Sequence, residues 1–366
     1  MSGSSYGKLF TITTWGESHG QGVGVVVDGC PAGLKLFERD IQIELNKRRP
    51  GQSPYCTPRD EADKVKILSG IFEDRTTGTP ISMVVMNKDQ RSKDYNDISG
   101  TYRPGHADYA FDAKYGFRDY RGGGRSSGRE TIARVAAGAI AKLILKELGV
   151  QLTTYAKSIG PIEIAYEHFD AEQIYENPFR FPDATKVEET EEYMRKLIKD
   201  GNSSGGVIEC IVKGMPAGVG EPVFDKMDAS LAKALLSIGA VKGFEIGAGF
   251  EAARMTGFEN NDFYEKVDGK LSKITNHAGG TTGGITDGSD LILRAAVKPT
   301  PSIHMTQQAM NRDGEVMDLV IGGRHDPVIV PRAVIVVESM VAITLVDLLL
   351  QQMSSRMDYI KKIFQQ

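Results

Sequence analysis

Alternating or continuous apolar positions mark a series of short segments, and these segments predict β-strands. β-Branched residues at every second position, or in brief runs bounded by turn residues, are typical of strands. By this criterion the predicted strands are residues 9–14, 22–27, 65–68, 81–86, 151–155, 206–212 and 291–297. The pattern therefore predicts strands in both halves of the chain.

Apolar positions with helical spacing predict a second set of elements. The predicted helices are residues 40–49, a segment that follows His106 and ends at Tyr115, and residues 131–148, 188–199, 225–238 and 331–352. The helix at 131–148 is rich in alanine and contains Gly138, which helical propensity cannot explain but a close helix contact can. The apolar run 333–350 contains Glu338 and Asp347, which favours a buried helix over a membrane span.

Composition changes over residues 160–202, where acidic and aromatic residues gather around the predicted exposed helix at 188–199. We interpret this segment as a peripheral polar excursion from one domain that spans residues 1–366. A chain of 366 residues is long enough to bury a large core as one elaborate domain.

Overall composition excludes several classes of protein. Hydrophobic residues make up 40% and charged residues 25%, as in soluble globular proteins. The formal net charge of −4 gives no global field that would attract nucleic acid or an anionic membrane, so we expect neither as a partner. The N-terminus lacks a signal-peptide pattern, and three cysteines without metal-ligand spacing indicate reduced thiols, a cytoplasmic location and no metal site.

One stretch, RDYRGGGRSSGRE at residues 118–130, concentrates candidate chemistry. It places four arginines around three consecutive glycines and two serines, immediately before the apolar helix at 131–148. Glycines admit a ligand close to backbone N–H groups, helix N-termini favour anions, and guanidinium groups match phosphate or carboxylate oxygens. Ser127 and Glu130 have the spacing of a capping box. The stretch predicts a phosphate site, the alternative being a solvated turn.

Two further segments are candidates for anion binding. Residues 276–288 (NHAGGTTGGITDG) form a second glycine-rich loop, and residues 298–302 (KPTPS) form a stiff corner that bears hydroxyl groups and a lysine. The corner could hold a second phosphate, or it could be an ordinary turn at the end of a strand.

Three candidate acid–base groups lie in separate motifs. His19 lies in GESHG (16–20), His106 lies in RPGHAD (103–108), and Asp326 lies beside Arg324 and His325 in GRHDP (323–327). A neighbouring Arg103 should disfavour the cationic form of His106. Each group could instead be structural, a histidine in a turn or an aspartate in a surface ion pair.

The GESHG motif also matches G-x-S-x-G, which suggests a serine hydrolase built on Ser18 as an alternative. That chemistry needs a strand-to-helix elbow, whereas a strand is predicted after this motif. A second alternative is a non-catalytic binder of phosphorylated small molecules or polyanions.

Taken together, GESHG, RRPGQS (48–53), RPGHADY (103–109), RDYRGGGRSSGRET (118–131), VAAGAIAK (135–142), NHAGG (276–280), KPTPS and GRHDP resemble the motifs of the chorismate synthase family, in family order. The resemblance implies an anti-1,4-elimination that converts 5-enolpyruvylshikimate 3-phosphate to chorismate and phosphate. It also implies a requirement for reduced FMN without net redox change, with NADPH as a possible source of electrons. A homotetramer is implied as well.

The resemblance further implies an α+β fold with helices sandwiched between antiparallel sheets. Independently of it, Gly124-Arg125 and Gly323-Arg324 each precede a strongly apolar helix. This repeated Gly-Arg pair suggests an internal duplication with a pseudo-two-fold arrangement.

Site residues follow from the matched motifs. The predicted flavin-binding residues are Arg125, Ser126, Ser127, Gly239, Ala240, Gly283, Lys298, Pro299, Thr300, Pro301, Ser302 and Arg324. The predicted substrate-binding residues are Ser18, Arg48, Gly128 and Arg129. Within the stretch 118–130 we expect residues 125–127 nearest the flavin and Arg129 directed towards the substrate.

Our mechanistic hypothesis assigns His19 to protonate the departing phosphate, because protonation offsets the developing charge. His106 would protonate or stabilise the reduced flavin, and Asp326 would lie near flavin N5 and assist removal of the ring proton.

The chain departs from the family pattern at three positions. Pro54 stands where many relatives carry a basic residue, and Arg59 is a possible replacement. Ser302 stands where threonine is frequent, and Asp287 stands where a neutral residue is usual.

Overall fold

The computed structural model describes residues 3–56, 61–87, 100–267, 269–322 and 325–365. The strands, in chain order, are β1 (Ser5–Tyr6), β2 (Thr11–Gly16), β3 (Gly22–Asp28), β4 (Val65–Ile67), β5 (Ile71–Phe72), β6 (Arg75–Thr76), β7 (Ile81–Met86), β8 (Thr101–Tyr102), β9 (Gln151–Ile159), β10 (Ile162–Glu163), β11 (Gly206–Lys213), β12 (Val241–Ile246), β13 (Tyr264–Val267), β14 (Lys270–Lys273), β15 (Thr281–Thr282), β16 (Ile285–Thr286), β17 (Leu291–Val297), β18 (Gln307–Asn311) and β19 (Val316–Leu319). The α-helices are α1 (Glu38–Arg48), α2 (Asp108–Tyr115), α3 (Thr131–Glu147), α4 (Val187–Lys199), α5 (Met227–Leu236), α6 (Gly257–Asn260), α7 (Val330–Gln352) and α8 (Met357–Phe364).

Two antiparallel five-stranded sheets form the main β structure. Their strand orders are β1-β2-β3-β7-β4 and β10-β9-β11-β17-β12. Along β7 the side chains alternate between buried and less buried positions, so one face of the first sheet supplies the core. All seven predicted strands are present, within a few residues of the predicted bounds.

The major helices lie between these two sheets. Helix α3 packs on β2, β3 and β7, helix α7 packs on β9 and β11, and α3 and α7 contact each other. A Cβ added to Gly138 would lie 2.3 Å from Ser339 Cβ. The predicted tight helix contact at Gly138 is therefore confirmed, as is the arrangement of helices between antiparallel sheets.

Helix α7 meets the length and hydropathy requirements for a membrane span, but 89% of its most apolar window is buried within the fold. Its charged Glu338 accepts a hydrogen bond from Lys142 on α3. The prediction of a buried core helix is confirmed.

The central part of each sheet follows the same order of elements. In both, two strands precede a helix and an edge strand, and after a hairpin the last strand enters the middle of the sheet. The second sheet has β10 and α4 inserted between its first two strands, and a further hairpin, β13–β14, after its edge strand. Two Pro-Ala-Gly corners, 31–33 and 216–218, are bonded alike. Thr76 Oγ1 donates to Pro31 O at 2.6 Å, and Thr286 Oγ1 donates to Pro216 O at 2.7 Å.

The predicted capping box at the start of α3 is wrong. Ser127 caps a short 3₁₀ turn, Gly128–Glu130, by accepting a hydrogen bond from Arg129 N at 3.3 Å. The Glu130 carboxylate points elsewhere, accepting hydrogen bonds from Thr14 Oγ1 and Arg134 Nε. Tertiary contacts with β2 and α3 therefore replace the local reciprocal bond.

Residues 160–202 cover the outer face of the second sheet. Phe169 packs on Tyr155 of β9, and Phe179 and Phe181 are fully buried in the main core. The predicted helix at 188–199 is present as α4, and only Thr190 and Met194 among its residues are buried. The aromatic residues of this segment are therefore part of the core.

Candidate active site

Loop 103–108 and loop 298–302 meet, although nearly 200 residues separate them. His106 Nδ1 lies 3.0 Å from Pro104 O, and His106 Nε2 lies 2.8 Å from Ser302 Oγ. Because a carbonyl can only accept, Nδ1 carries the proton and the Ser302 hydroxyl donates to Nε2. Burial and the nearby Arg103 guanidinium lower the pKa of His106 to about 4, so the predicted neutral imidazole is confirmed.

The GESHG turn meets the triple glycine in the same way. His19 Nδ1 lies 2.9 Å from Ser18 Oγ, and a Cβ added to Gly122 would lie 2.4 Å from His19 Nδ1. Only a glycine at position 122 allows the imidazole to lie there. Arg125 binds the end of β2, just before the GESHG turn. Its Nη1 donates to Gly16 O at 2.9 Å, and its Nη2 donates to Thr14 Oγ1 at 2.6 Å.

Three hydrogen bonds connect these pairs of loops. Arg134 on α3 donates to Ser237 Oγ at 2.6 Å, which holds the loop after α5 beside the start of α3. In that loop Ala240 adopts a left-handed backbone with φ of 72°, and its carbonyl accepts from Lys298 N at 2.9 Å. Lys298 Nζ also donates to Gly105 O at 3.0 Å. The fold thus brings together four predicted segments: 16–20, 103–108, 118–130 and 298–302.

Arg48 and Arg129, both predicted substrate ligands, share one buried carboxylate. Asp63 Oδ2 lies 2.6 Å from Arg48 Nη2, and Asp63 Oδ1 lies 3.1 Å from Arg129 Nη1. Arg129 Nε donates to Asn87 Oδ1 at 2.5 Å, and Nη2 forms an ion pair with Glu61 at 2.6 Å. The Glu61 contact lacks hydrogen-bond geometry, so it is chiefly electrostatic. Protein groups therefore engage all three guanidinium nitrogens of Arg129.

The remaining arginines of this region also have acidic partners. Arg103 binds Asp108 through two hydrogen bonds of 2.8 Å, and Arg118 lies 2.6 Å from Asp112. Exposed Arg121 pairs with Asp119 at 2.6 Å. The sequence indicated arginine forks around a ligand, but the fold neutralises much of their charge internally. The predicted direction of Arg129 towards the substrate gains no support from its contacts.

Asp326 lies next to this buried network. Asp326 Oδ2 lies 2.6 Å from Arg332 Nη1, and Arg332 Nε donates to Arg48 O at 3.1 Å. Arg332 therefore connects a predicted catalytic carboxylate to the end of α1. Arg324 and Arg59 lie outside the described residues.

The second glycine loop forms the hairpin β15–β16. Gly283, at its turn, has a φ of 63° and open space where a Cβ would lie. The adjacent Gly284 accepts from Met227 N at 2.8 Å, so this hairpin packs against the start of α5. Asp287 pairs with Lys273 at 2.5 Å, which gives this unusual carboxylate a structural partner.

One buried hydroxyl in the KPTPS corner lacks a partner. Thr300 Oγ1 has no hydrogen-bond partner among the described residues. Buried polar atoms are nearly always paired, so an orphan in a candidate site is a natural contact for a ligand. The atom lies beside the Ser302 and Lys298 contacts described above, which fits a polar ligand such as a phosphate-bearing cofactor.

The hydrolase alternative is not supported by the local fold. Ser18 is buried, and a turn and strand β3 follow it instead of a helix. The only imidazole bonded to its hydroxyl in the described part of the chain belongs to the adjacent His19. No group of three potential metal-ligating side chains occurs among the described residues.

The sequence did not predict the residues that bind the guanidinium groups of Arg48 and Arg129. Asp63, Glu61 and Asn87 were not singled out, although E-A-D at 61–63 follows the arginine-bearing loop closely. Arg332, at the start of the last long helix, was also missed. Acids adjacent in sequence to an arginine cluster were the available signal.

The GESHG turn, the triple glycine, loop 103–108 and corner 298–302 thus come together on an α+β fold, an arrangement that suits a small anionic ligand. A family profile described as chorismate synthase matches residues 10–350. The chorismate synthase of Lachnoclostridium phytofermentans is 64% identical over 366 residues, covering 100% of both chains. That of Methanosarcina mazei is 54% identical over 354 residues, covering 96% of this chain and 97% of the relative.

A solved structure described as the crystal structure of chorismate synthase matches with a TM-score of 0.78 and 33% identity. The match covers 98% of this chain and 97% of that one. The chain therefore belongs to the chorismate synthase family, a family of carbon–oxygen lyases that act on phosphates.

Proposed function

We propose that the chain eliminates phosphate from 5-enolpyruvylshikimate 3-phosphate in an anti-1,4 sense to give chorismate, with reduced FMN as cofactor. Family membership supports the reaction. The orphan Thr300 hydroxyl, beside Lys298 and close to the loop at Ala240, is the observation that favours a cofactor there. Reduced FMN, when bound, would supply transient electron density that no side chain can provide.

The proposed flavin ligands come from five segments. Residues 125–127, 239–240 and 298–302 are supported by their mutual proximity, since a Cβ added to Gly239 would lie 3.8 Å from Ser126 O. Gly283 and Arg324 complete the proposed set. Ser18, Arg48, Gly128 and Arg129 remain the proposed substrate ligands, with the two arginines acting from within the Asp63 network.

Three side chains have proposed roles in proton transfer. As an imidazolium, His19 would donate from Nδ1 to the Ser18 hydroxyl and transfer the Nε2 proton to the departing phosphate oxygen. His106, whose Nε2 accepts from the Ser302 hydroxyl, would protonate or stabilise the reduced flavin when it is bound. The Asp326 carboxylate, held by Arg332, would assist removal of the ring proton.

We further propose that the enzyme is a cytoplasmic homotetramer and that NADPH can serve as a source of electrons. The two matching sheet orders and the two Pro-Ala-Gly corners support an internal duplication with pseudo-two-fold symmetry. The second Gly-Arg pair, Gly323-Arg324, lies outside the described residues.

The decisive experiment is an anaerobic assay with dithionite-reduced FMN and 5-enolpyruvylshikimate 3-phosphate. We expect chorismate and phosphate in equal amounts, and an absence of chorismate would refute the proposed reaction. A second, aerobic assay with FMN and NADPH tests for a built-in flavin reductase. Chorismate in that assay requires the chain to reduce its own cofactor.

A further inference from the structure

A cavity of about 330 Å³ lies behind the arginine-bearing loop 48–53. Its walls come from the end of α1 and the following loop, from the segment around Asn177, and from the start of α7. None of its lining residues belongs to the flavin or substrate set named above. Three of them are cations, Lys47, Arg180 and Arg332, whereas Glu176 is the one acidic residue in the described lining.

Arg180 adopts an unusual backbone for its residue type. Its φ is 61°, in the left-handed region where glycine is favoured and other residues incur a cost of about 1 kcal/mol. The turn is imposed by Asn177, whose Oδ1 accepts from both Phe179 N and Phe181 N at 3.1 Å. The turn itself calls for glycine, so an arginine here indicates that its side chain contributes something that glycine cannot.

The charge of Arg180 has no acidic partner in the described part of the chain. Nη2 donates to Gln52 Oε1 at 2.9 Å, and Nη1 donates to the Tyr175 carbonyl at 3.3 Å, so these acceptors are neutral. Nε is buried without any hydrogen-bond partner. This differs from the other partly buried arginines of the region, such as Arg48 and Arg332, which pair with carboxylates.

A second cation reinforces the positive charge at this position. The Arg180 guanidinium and the Lys47 ammonium each lie 4.9 Å from the centre of the Tyr175 ring. Tyr175 lines the same cavity. Lys47 also pairs with Glu44 at 3.0 Å, so the charge of Arg180 is the one that a bound anion would offset.

We propose that this cavity is a second anion site, which binds the oxygens of a phosphate or carboxylate group through Arg180, Lys47 and Arg332. Arg180 recognises the anion, because it alone of the three lacks a carboxylate partner. Arg332 also contacts Asp326 and the Arg48 carbonyl. An anion bound to Arg332 would therefore alter the contacts of two residues of the candidate active site. This site is additional to the proposed function and does not depend on it.

The test is isothermal titration of the full-length protein with inorganic phosphate and, separately, with malonate, comparing wild type with Arg180→Gln. We expect wild type to show a binding event that Arg180→Gln weakens by about tenfold or more, the effect of losing one charge-assisted contact. Arg180→Lys should retain part of the affinity. Preference for phosphate or for malonate identifies which oxyanion the cavity takes.

Arg195→Gln is the matched control, since it removes the same charge from an exposed arginine that pairs with Glu191 on α4. It should leave both titrations unchanged. Thermal unfolding establishes that each variant is folded. Equal phosphate and malonate affinities in folded Arg180→Gln and wild type would overturn the proposal, whatever the outcome of the chorismate assay.

Discussion

Arg48 and Asp63 form a buried ion pair, with Nη2 and Oδ2 2.6 Å apart and the Asp63 side chain fully inaccessible. Burial lowers the pKa of Arg48 to about 10, and the group is still cationic near neutral pH. Asp63 has a φ of 43°, so its position is imposed by its surroundings. Because the same carboxylate also binds Arg129, Asp63 holds together two residues that we propose as substrate ligands.

Replacing Asp63 with asparagine should destabilise the protein. The change preserves shape but leaves two buried guanidinium groups short of one negative charge. Breaking a buried pair typically costs about 3–5 kcal/mol in the free energy of unfolding. We expect a loss of this size in urea unfolding, together with a higher KM for the phosphate ester.

Asp225→Asn is the control for that measurement, since Asp225 forms an exposed pair with Lys8. Exposed pairs contribute about 1 kcal/mol or less, so this variant should unfold almost as wild type does. Equal losses in the two variants would contradict the bridging role of Asp63.

Gly122→Ala should impair turnover without unfolding the protein. The added Cβ would lie 2.4 Å from His19 Nδ1 and 3.1 Å from Ser18 Oγ, so the imidazole must move. A displacement of about 1 Å at a reacting group can cost about 100-fold in rate. We expect kcat to fall by about tenfold or more in the anaerobic assay. Gly257→Ala, which enters open space, should retain full turnover, and a fully active Gly122→Ala would exclude His19 from the chemistry.

His106 should make stability depend on pH in a defined window. Its pKa is about 4 in the folded protein, below the usual value of 6.5. As pH falls from 6.5 to 4, the unfolded chain binds a proton that the native state does not, and stability is lost. The loss is at most about 3 kcal/mol. Urea unfolding of His106→Gln should show a shallower decline across this window, and parallel curves for variant and wild type would contradict the burial of a neutral imidazole.

Thr300→Val should separate ligand binding from folding. The variant removes an orphan hydroxyl, so the ligand-free protein should be no less stable than wild type. Binding of reduced FMN, measured anaerobically by titration, should weaken by about tenfold. The control is Thr344→Val, which deletes a hydroxyl bonded to Met340 O at 2.7 Å and to the Tyr6 hydroxyl at 2.8 Å, and which should lose about 1–2 kcal/mol of stability. Unchanged FMN affinity in Thr300→Val would remove this residue from the proposed site.

Gly138→Ala should destabilise the core between the sheets. Its Cβ would overlap Ser339 on α7, and overpacking of a close helix contact costs about 1–3 kcal/mol. Adding Ser339→Gly to the same chain should recover part of the loss, because it removes the atom that clashes. A double variant no more stable than Gly138→Ala would argue against direct contact as the cause.

Local patterning predicted seven of the ten strands in the two main sheets and the longest helices, but it did not predict β12 or α8. The alternation in residues 81–86 and 291–297 gave the bounds of β7 and β17, since burial of one sheet face leaves a direct periodic trace in sequence. Gly138, in the middle of a predicted helix, indicated a close helix contact, and the structure identifies Ser339 as its partner. The motifs around His19, His106 and Lys298 were likewise visible, because each is compact along the chain.

The pairing of charges was decided only by the tertiary structure. Sequence placed four arginines in residues 118–130, but it could not show that Asp63 and Glu61 engage Arg129 across a long separation. Ion pairs depend on which side chains meet in space and leave no periodic trace. For the same reason Glu130, predicted to cap its own helix, binds Thr14 on a neighbouring strand. The sequence by itself determined the motifs in which the proposed site residues lie, and the fold decided which of their charges are already neutralised.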